Sequence, residues 1–489
     1  MLAIDVGSSS VRAAVFDARA RQRRGSVARA AYRSDSDEGG AVTVPLDRLT
    51  GALGDVLDQL VTVVGRDLNR VEAAGLSVFL HSFTGVDARG RAVAPLRTWA
   101  DTTAAAEAER LRGELDEAAI WQATGAPLHP SLWPARILAL RASEAGSGAV
   151  AYRGAPELLW RSLTGADRVD VSLASGTGLL DRATGTWHGG LLRALSLDGS
   201  DALPELAVRG SSAVLGRRAA ARWPALRRVR WFAPWSDGSC GNVGLGLGVG
   251  LAGAGEGTPR AALQIGTSGA IRSLVATPAP RLVRGLFAHR LAPDRGLIGG
   301  QLSEGGGTLE AVARLLGRAQ GRLDREAQAV VPGAHGLTVL PFLAGERGPG
   351  YHARARGSID GLRLGTSAVE VYLATAESIA IRFAELDRRL AAALGTPAAV
   401  VASGGAVARS ALLPELLAAA LGRSIRVSVE GEASLRGAAI RTLVAAGLVA
   451  SESAVPEPLS REVQPNAARS HALAVAADRQ ARLYEARLG

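Results

Sequence analysis

The chain of 489 residues contains no lysine, one cysteine (Cys240) and one methionine, and only 4% of its residues are aromatic. A single cysteine excludes an intramolecular disulfide and fits a reducing compartment. No apolar run approaches the roughly 18 uncharged residues of a membrane span; Val243–Ala254 is short and glycine-rich. Asp5 and Arg12 interrupt the N-terminus before a signal-peptide core could form, so a cytoplasmic location is expected and no membrane partner. The net charge of +10 is carried by 56 basic residues, all of them arginine. That bias fits a genome-wide codon preference better than selection for a nucleic-acid footprint. The arginines are scattered except at Arg19–Arg24 and Arg227–Arg230, which read as solvated turns, and aromatics are too few for a stacking platform. No nucleic-acid partner is expected, although the basic balance helps attract small anions.

What is present is bulk and pattern. A chain of this length is expected to divide into two or three domains, and 47% apolar with 21% charged residues suits a globular enzyme. Two glycine-hydroxyl loops stand about half a chain apart. Asp5-Val6-Gly7-Ser8-Ser9-Ser10 follows the apolar start Met1–Ile4, and Gly266-Thr267-Ser268-Gly269 follows Ala261–Ile265. After each, the apolar pattern resumes, so each reads as a strand–turn–strand hairpin offering N–H groups and hydroxyls to an anion. Two such loops, one opening each half, suggest a duplicated fold that grips one polyphosphate from both sides.

Between the loops, strands are predicted at 2–6, 11–17, Val27–Tyr32 and Val71–Phe79, with a helix from Pro45 to Val64 marked by Leu49, Leu53, Val56, Leu57 and Leu60. The strand ending at Phe79 delivers His81 and Ser82 to its C-terminal end, where ligand groups tend to sit. Residues 104–140 read as helical, broken at Gly125–Pro127 and His129-Pro130. The glycine-rich stretch Gly238–Gly257 is the candidate domain junction, dividing 1–245 from 258–450. In the second half, helices are expected at Leu309–Leu316, 368–394, Leu412–Leu421 and Ser434–Ala446, with strands at Ala399–Val401 and Ile425–Val429. Residues 451–489 have weak pattern and read as a loosely packed C-terminal extension.

Taken together, these motifs resemble the FGGY carbohydrate kinase family, and most closely its gluconokinase-type members. The resemblance covers about residues 2–447. It rests on Asp5–Arg12, Pro95-Leu96-Arg97-Thr98-Trp99-Ala100-Asp101, Thr124–Pro130, Ala174–Leu180, Ser236-Asp237-Gly238 with Asn242-Val243-Gly244, Ile265–Arg272 and Leu343–Gly350. There are departures. Serines replace the commoner threonines of the first loop, Thr103 stands where gluconokinases usually have arginine, and the helix at 412–421 lacks the Gln and Asp often found there.

The resemblance implies an α/β fold of two domains, actin/hexokinase/Hsp70-like (ribonuclease H-like), with an interdomain cleft, and ATP-dependent phosphorylation of a sugar or sugar acid, D-gluconate first. Other acceptors such as xylulose, ribulose or glycerol, and a catalytically weak regulatory relative, are the alternatives. It implies Asp237 as the general base, which also touches substrate, and Asp5 as the partner of Mg²⁺. As plain residues, Asp237-Gly238 could be a turn or a helix N-cap, and Asp5 a buried hairpin carboxylate. Gly7, Ser8, Ser9, Ser10 and Arg12 would surround the phosphates, with Gly266 and Thr267 opposing them; Arg12 reads equally as a surface strand residue. Gly404-Gly405 would pass close to the adenosine, and Gly306 near the nucleotide, or lie in a flexible glycine loop. His81, Ser82, Trp99 and Asp101 are the acceptor-side candidates, with Arg347 a possible cation for a substrate carboxylate. The partner is a small sugar or sugar acid, and a homodimer is left open.

Overall fold

The computed structural model describes residues 1–208, 210–248 and 258–488. Two mixed sheets organise the chain, and each is built around the hairpin that carries one glycine-hydroxyl loop. In the first sheet, Leu2–Val6 pairs antiparallel with Ser10–Val15, which pairs with Ala28–Ala31. On its other side Leu2–Val6 runs parallel to Ala73–Val78, followed by Arg230–Phe232 and the edge strand Ser212–Ala213. The second sheet repeats the plan. Arg260–Ile265 pairs antiparallel with Gly269–Val275 and parallel with Ala399–Ser403, flanked by Arg295–Leu302 and Phe287–Ala292 on one side and Ile425–Ser428 on the other. The central strands are buried on both faces, which is why they read as near-continuous apolar runs rather than alternating ones.

The helices follow the sequence pattern. Leu46–Val64 buries Leu49, Leu53, Val56, Leu57 and Leu60 against the first sheet, and stops at Gly65 with φ 59°. Ala368–Leu394 starts at a capping box, in which Ser367 Oγ accepts from Glu370 N and Glu370 Oε2 accepts from Ser367 N. Its buried face packs behind the second sheet. A separate helical body in the first half has its own core, centred on Phe83, Trp133 and Tyr152.

Part of the glycine-rich candidate junction is helical. Asp237–Gly244 is a helix, and residues 249–257 of that stretch lie outside the described residues. This helix crosses Ala433–Ala445 at backbone contact: a Cβ on Gly244 would lie 1.8 Å from Ala433 O, and one on Gly437 1.8 Å from Cys240 O. The glycines are required by close approach of two backbones, not by chain flexibility. Ala433–Ala445 also lies on the first sheet, where Cys240, Leu435, Ala438 and Ala439 join Ala3, Ala14 and Phe16 in one cluster. A helix from the second half thus packs on the sheet of the first.

The tail also departs from expectation. Ser460–Val463 adds an antiparallel strand to the edge at Ile425–Ser428, and Ala467–Leu488 is a helix. Leu473, Ala476 and Gln480 of that helix are buried, and Tyr484 donates to Glu346 at 2.7 Å. The pattern looked weak because its apolar residues are mostly alanine and the stripe is thin. The run Gly305-Gly306-Gly307 is likewise no loose loop: it enters the helix Gly306–Leu315.

Candidate active site

The register of the first sheet sets one wall. Asp5 lies opposite Arg12 on one neighbour and Ser77 on the other. Ser77 Oγ donates to Asp5 Oδ1 at 2.8 Å, and Arg12 Nη1 stands 3.9 Å from Oδ2. Burial pushes the Asp5 carboxyl up to about 7, against the pull of Ser77 and Arg12. The loop beyond it is tight, with Gly7 N donating to Ser10 O at 3.0 Å and the Tyr32 hydroxyl donating to Gly7 O.

The opposite wall is the second loop, held from behind by the glycine run. Gly306 N donates to Gly266 O at 2.8 Å and Gly307 N to Thr267 O at 3.0 Å. A Cβ on Gly305 would meet Ser268 backbone at 2.8 Å, and one on Gly306 would meet Gly266 O at 2.7 Å. Gly404 has φ +99° and sits where a Cβ would be 2.5 Å from Ile265 O. Backbone therefore abuts backbone on three sides of this loop, and Gly266 N donates to Ser268 O at 2.9 Å within it.

Between the walls lies a cavity of about 500 Å³ lined by Asp5, Ser8, Arg12, Trp99, Asp237, Gly266, Thr267, Gly404 and Gly405. Arg272 and Glu432 line it too; Glu432 accepts from Arg12 across the cleft. Asp237 opens the helix Asp237–Gly244, and its Oδ1 accepts from Gly238 N at 2.7 Å. It is thus a first-turn helix residue and a cleft carboxylate at once. Burial raises its pKa, opposed mainly by the charge of Arg272. Arg272 Nη1 donates to Gln264 Oε1 at 3.0 Å, and its guanidinium passes within 3.0 Å of where a Gly238 Cβ would stand.

Trp99 carries the Arg347 guanidinium over its ring at 5.0 Å, and Arg347 also donates to Gln301 Oε1. The charge of Arg347 is felt by His81, His129, Tyr351, Glu304 and Asp237, which places it at the hub of a buried polar cluster. Several atoms there have no hydrogen-bond partner: His129 Nε2, Arg347 Nε, Tyr351 Oη and both carboxylate oxygens of Glu304. Buried polar atoms are rarely left unpaired, and a group of them around one guanidinium suits a hydroxyl-rich ligand. Burial holds His81 and His129 neutral and pushes Glu304 up to about 7.

Other expected residues lie outside the cavity wall. Ser9 is exposed, Ser10 is buried, and Gly7 and Gly306 act through backbone bonds. His81, with φ 60°, donates from Nδ1 to Gly176 O at 3.0 Å. Ser82 Oγ accepts from Ala155 N at 2.9 Å. Asp101 is fully buried, and both its oxygens are engaged: Oδ2 accepts from Val42 N, and Oδ1 from the Thr103 hydroxyl and amide. It braces the segment that presents Trp99 rather than facing the cleft. Arg272, His129, Tyr351 and Glu304 were not among the expected site residues, although Arg272 and His129 lie within the motifs Ile265–Arg272 and Thr124–Pro130. A signal existed for Arg272, a lone charge inside the apolar strand Gly269–Val275.

Residues 1–244 match the domain described as "FGGY family of carbohydrate kinases, N-terminal domain", and residues 261–446 match its C-terminal counterpart. The gluconokinase of Bacillus subtilis (strain 168) is 26% identical over 359 residues, spanning 70% of this chain and 68% of that one. The xylulose kinase of Streptomyces rubiginosus is 29% identical over 328 residues, spanning 64% and 62%. In fold, the crystal structure of gluconate kinase from Lactobacillus acidophilus superimposes with a TM-score of 0.87 at 22% identity, covering 99% of this chain and 97% of that one.

Proposed function

The chain belongs to the FGGY family of carbohydrate kinases, and from that premise we propose that it transfers the γ-phosphoryl group of ATP to a hydroxyl of a sugar acid, converting D-gluconate to 6-phospho-D-gluconate. The observation that carries this reading is the single cavity in which both glycine-hydroxyl loops, Asp5 and Asp237 meet. Ser8 and the first loop would hold the phosphates from one side, and Gly266 and Thr267 from the other. Gly404, where a Cβ would meet Ile265 backbone, and Gly405 would border the nucleoside.

Asp237 is the base in this scheme. The acceptor oxygen attacks the γ-phosphorus, the bond to the β–γ bridging oxygen breaks to release ADP, and the hydroxyl proton passes to the Asp237 carboxylate. Burial suits Asp237 to that task by raising its proton affinity, opposed mainly by the charge of Arg272. Asp5 lines the cavity and has one carboxylate oxygen free of side-chain hydrogen bonds. That donor set fits Mg²⁺, which keeps much of its water and rides on nucleotide phosphates. When bound, Mg²⁺ neutralises charge on the β- and γ-phosphoryl oxygens.

The sugar-acid preference rests on Arg272 and Arg347, two guanidinium groups whose charge reaches Asp237 on the acceptor side. A neutral polyol uses the unpaired His129, Tyr351 and Glu304 atoms equally well; a sugar acid adds a carboxylate to a site where two guanidinium groups share the charge of Asp237. Domain closure over the cleft would exclude water and suppress idle ATP hydrolysis.

The test is ADP release with Mg-ATP across D-gluconate, related aldonates, D-xylulose, D-ribulose, glycerol and hexoses, with Asp237→Asn run in parallel. Turnover on gluconate alone, abolished in the variant, supports the reading in full. Turnover on a ketose or polyol instead refutes the acceptor assignment while leaving the mechanism standing. Binding of ATP with no turnover on any acceptor refutes the kinase reading for this chain.

A further inference from the structure

A second cavity, about 650 Å³ and larger than the catalytic one, opens where the two halves meet the C-terminal helix, and the two cavities share no lining residue. That volume is in the range of small-molecule sites. Its charged lining holds five arginines against three glutamates. Among the described residues, neither Arg284 nor Arg388 has a carboxylate within 4 Å, so their charges are not neutralised by the protein. Arg382 is nine-tenths buried or more; its Nη atoms donate to Glu346, Glu385 and Gly348 O, while its Nε, like that of Arg389, is buried with no partner. The remaining wall is aromatic: Trp121 and Tyr351 meet edge to face with centroids 5.4 Å apart.

We propose that this cavity binds a small phosphorylated metabolite, and that its occupancy sets the affinity of the catalytic cavity for the acceptor. The two guanidinium groups left without a carboxylate, Arg284 and Arg388, fit a phosphate-monoester dianion, whose oxygens match the guanidinium fork. The aromatic wall fits the C–H faces of the body that carries the phosphate.

The coupling has a visible route. Trp121 comes from the first half and donates from Nε1 to Leu286 O of the second at 3.0 Å, while Ala288 N donates to Gly125 O at 2.9 Å. A ligand between Trp121 and Arg284 therefore bridges the halves whose approach closes the cleft. Tyr351 is common to both regions. Its ring walls this cavity and stacks edge-on with His129 at 5.8 Å, and its hydroxyl is in the field of Arg347. This second clause rests on the kinase reading; the binding itself does not.

The experiment is equilibrium binding of glucose 6-phosphate, 3-phosphoglycerate and citrate to the full chain by calorimetry, with a non-hydrolysable ATP analogue filling the catalytic phosphate site. Both free arginines are exposed, so Arg284→Ala/Arg388→Ala should fold as the parent does. The expected result is binding of at least one phosphate ester, weakened about ten-fold or more in that double variant and unchanged in Arg347→Ala. A matching change in acceptor KM on adding the ester would support the coupling. Absence of binding by both esters, binding by citrate alone, or a loss seen only in Arg347→Ala would each overturn the proposal. The last would mean that the ester had entered the catalytic cavity. Because binding is read without turnover, failure here is distinct from failure of the kinase reading.

Discussion

Glycine to alanine in a helix ordinarily stabilises, by about 0.5–1 kcal/mol, because alanine loses less backbone entropy on folding. Gly51 and Gly437 both lie in helices, Leu46–Val64 and Ala433–Ala445, and neither has a positive φ. Around Gly51 nothing stands within 4 Å of an added Cβ; at Gly437 the Cβ would lie 1.8 Å from Cys240 O, 2.5 Å from its C and 2.9 Å from its Cα. All three atoms are backbone, so no rotamer change relieves the clash. To reach the 3.4 Å of ordinary contact, the two crossing helices must separate by about 1.6 Å. Overpacking of this kind costs about 1–3 kcal/mol, which exceeds the propensity gain. In a domain of this size each kcal/mol moves Tm by about 2–4 °C. Gly51→Ala should therefore melt slightly higher than the parent, and Gly437→Ala several degrees lower, in thermal unfolding at fixed pH. The displacement also carries the first turn of Asp237–Gly244 with it, and a misplacement of about 1 Å can cost about 100-fold in rate. Gly437→Ala should lose activity on that scale even where it is fully folded. If it matched Gly51→Ala in both Tm and turnover, the backbone contact between the two helices would be wrong.

Three further outcomes follow from the same geometry. Asp237→Asn should lower kcat by about 100- to 10,000-fold while leaving Tm unchanged or higher, since a buried charge is removed; a variant with near-parent kcat would exclude Asp237 as base. Glu157 is buried, accepts from Gly154 N at 2.7 Å and is pushed from 4.5 up to about 7 by burial, so the folded state holds its proton where the unfolded state has released it. Its ionisation should erode stability as pH rises from about 4.5 to 7, by up to about 3 kcal/mol; Glu157→Gln should match the parent near pH 4.5 and exceed it at pH 8, and parallel urea-melt profiles across that window would contradict this. Tyr484→Phe removes the donor to the buried Glu346, and should cost about 1.5–3 kcal/mol in denaturant titration; an unchanged midpoint would mean that the helix Ala467–Leu488 is not anchored there.

The legible parts of the molecule were those with a local cause. Both hairpins could be placed from apolar runs broken by small residues, and the helices Leu46–Val64 and Ala368–Leu394 from a 3.6-residue stripe ended by glycine. Asp5, Ser8, Trp99, Asp237, Thr267 and Gly404 came from motifs, and they do line one cavity. What escaped depends on pairs distant in the chain. The need for Gly244 was hidden because the helix it meets, Ala433–Ala445, lies about two hundred residues on. Asp101 looked like a ligand group because nothing local reveals that Val42 N takes one of its oxygens. Arg272 and Glu304 gained meaning only when folding brought them toward Asp237 and Arg347.

The strand Ser460–Val463 has a consequence for how the protein is made. It covers the edge of Ile425–Ser428, and among the described residues no other strand pairs on that side. During synthesis at about 5–20 residues per second, the preceding six strands of that sheet emerge first and wait for seconds with an open edge. Strands in that condition recruit one another between nascent chains. Arg426 on the waiting strand, together with Arg461 and Glu462 on the one that arrives, puts charge on this edge throughout. The last strand of the sheet thus acts as a seal whose timing is set by translation, and slow decoding between Ser428 and Ser460 would lengthen the interval in which polysomes are prone to clump.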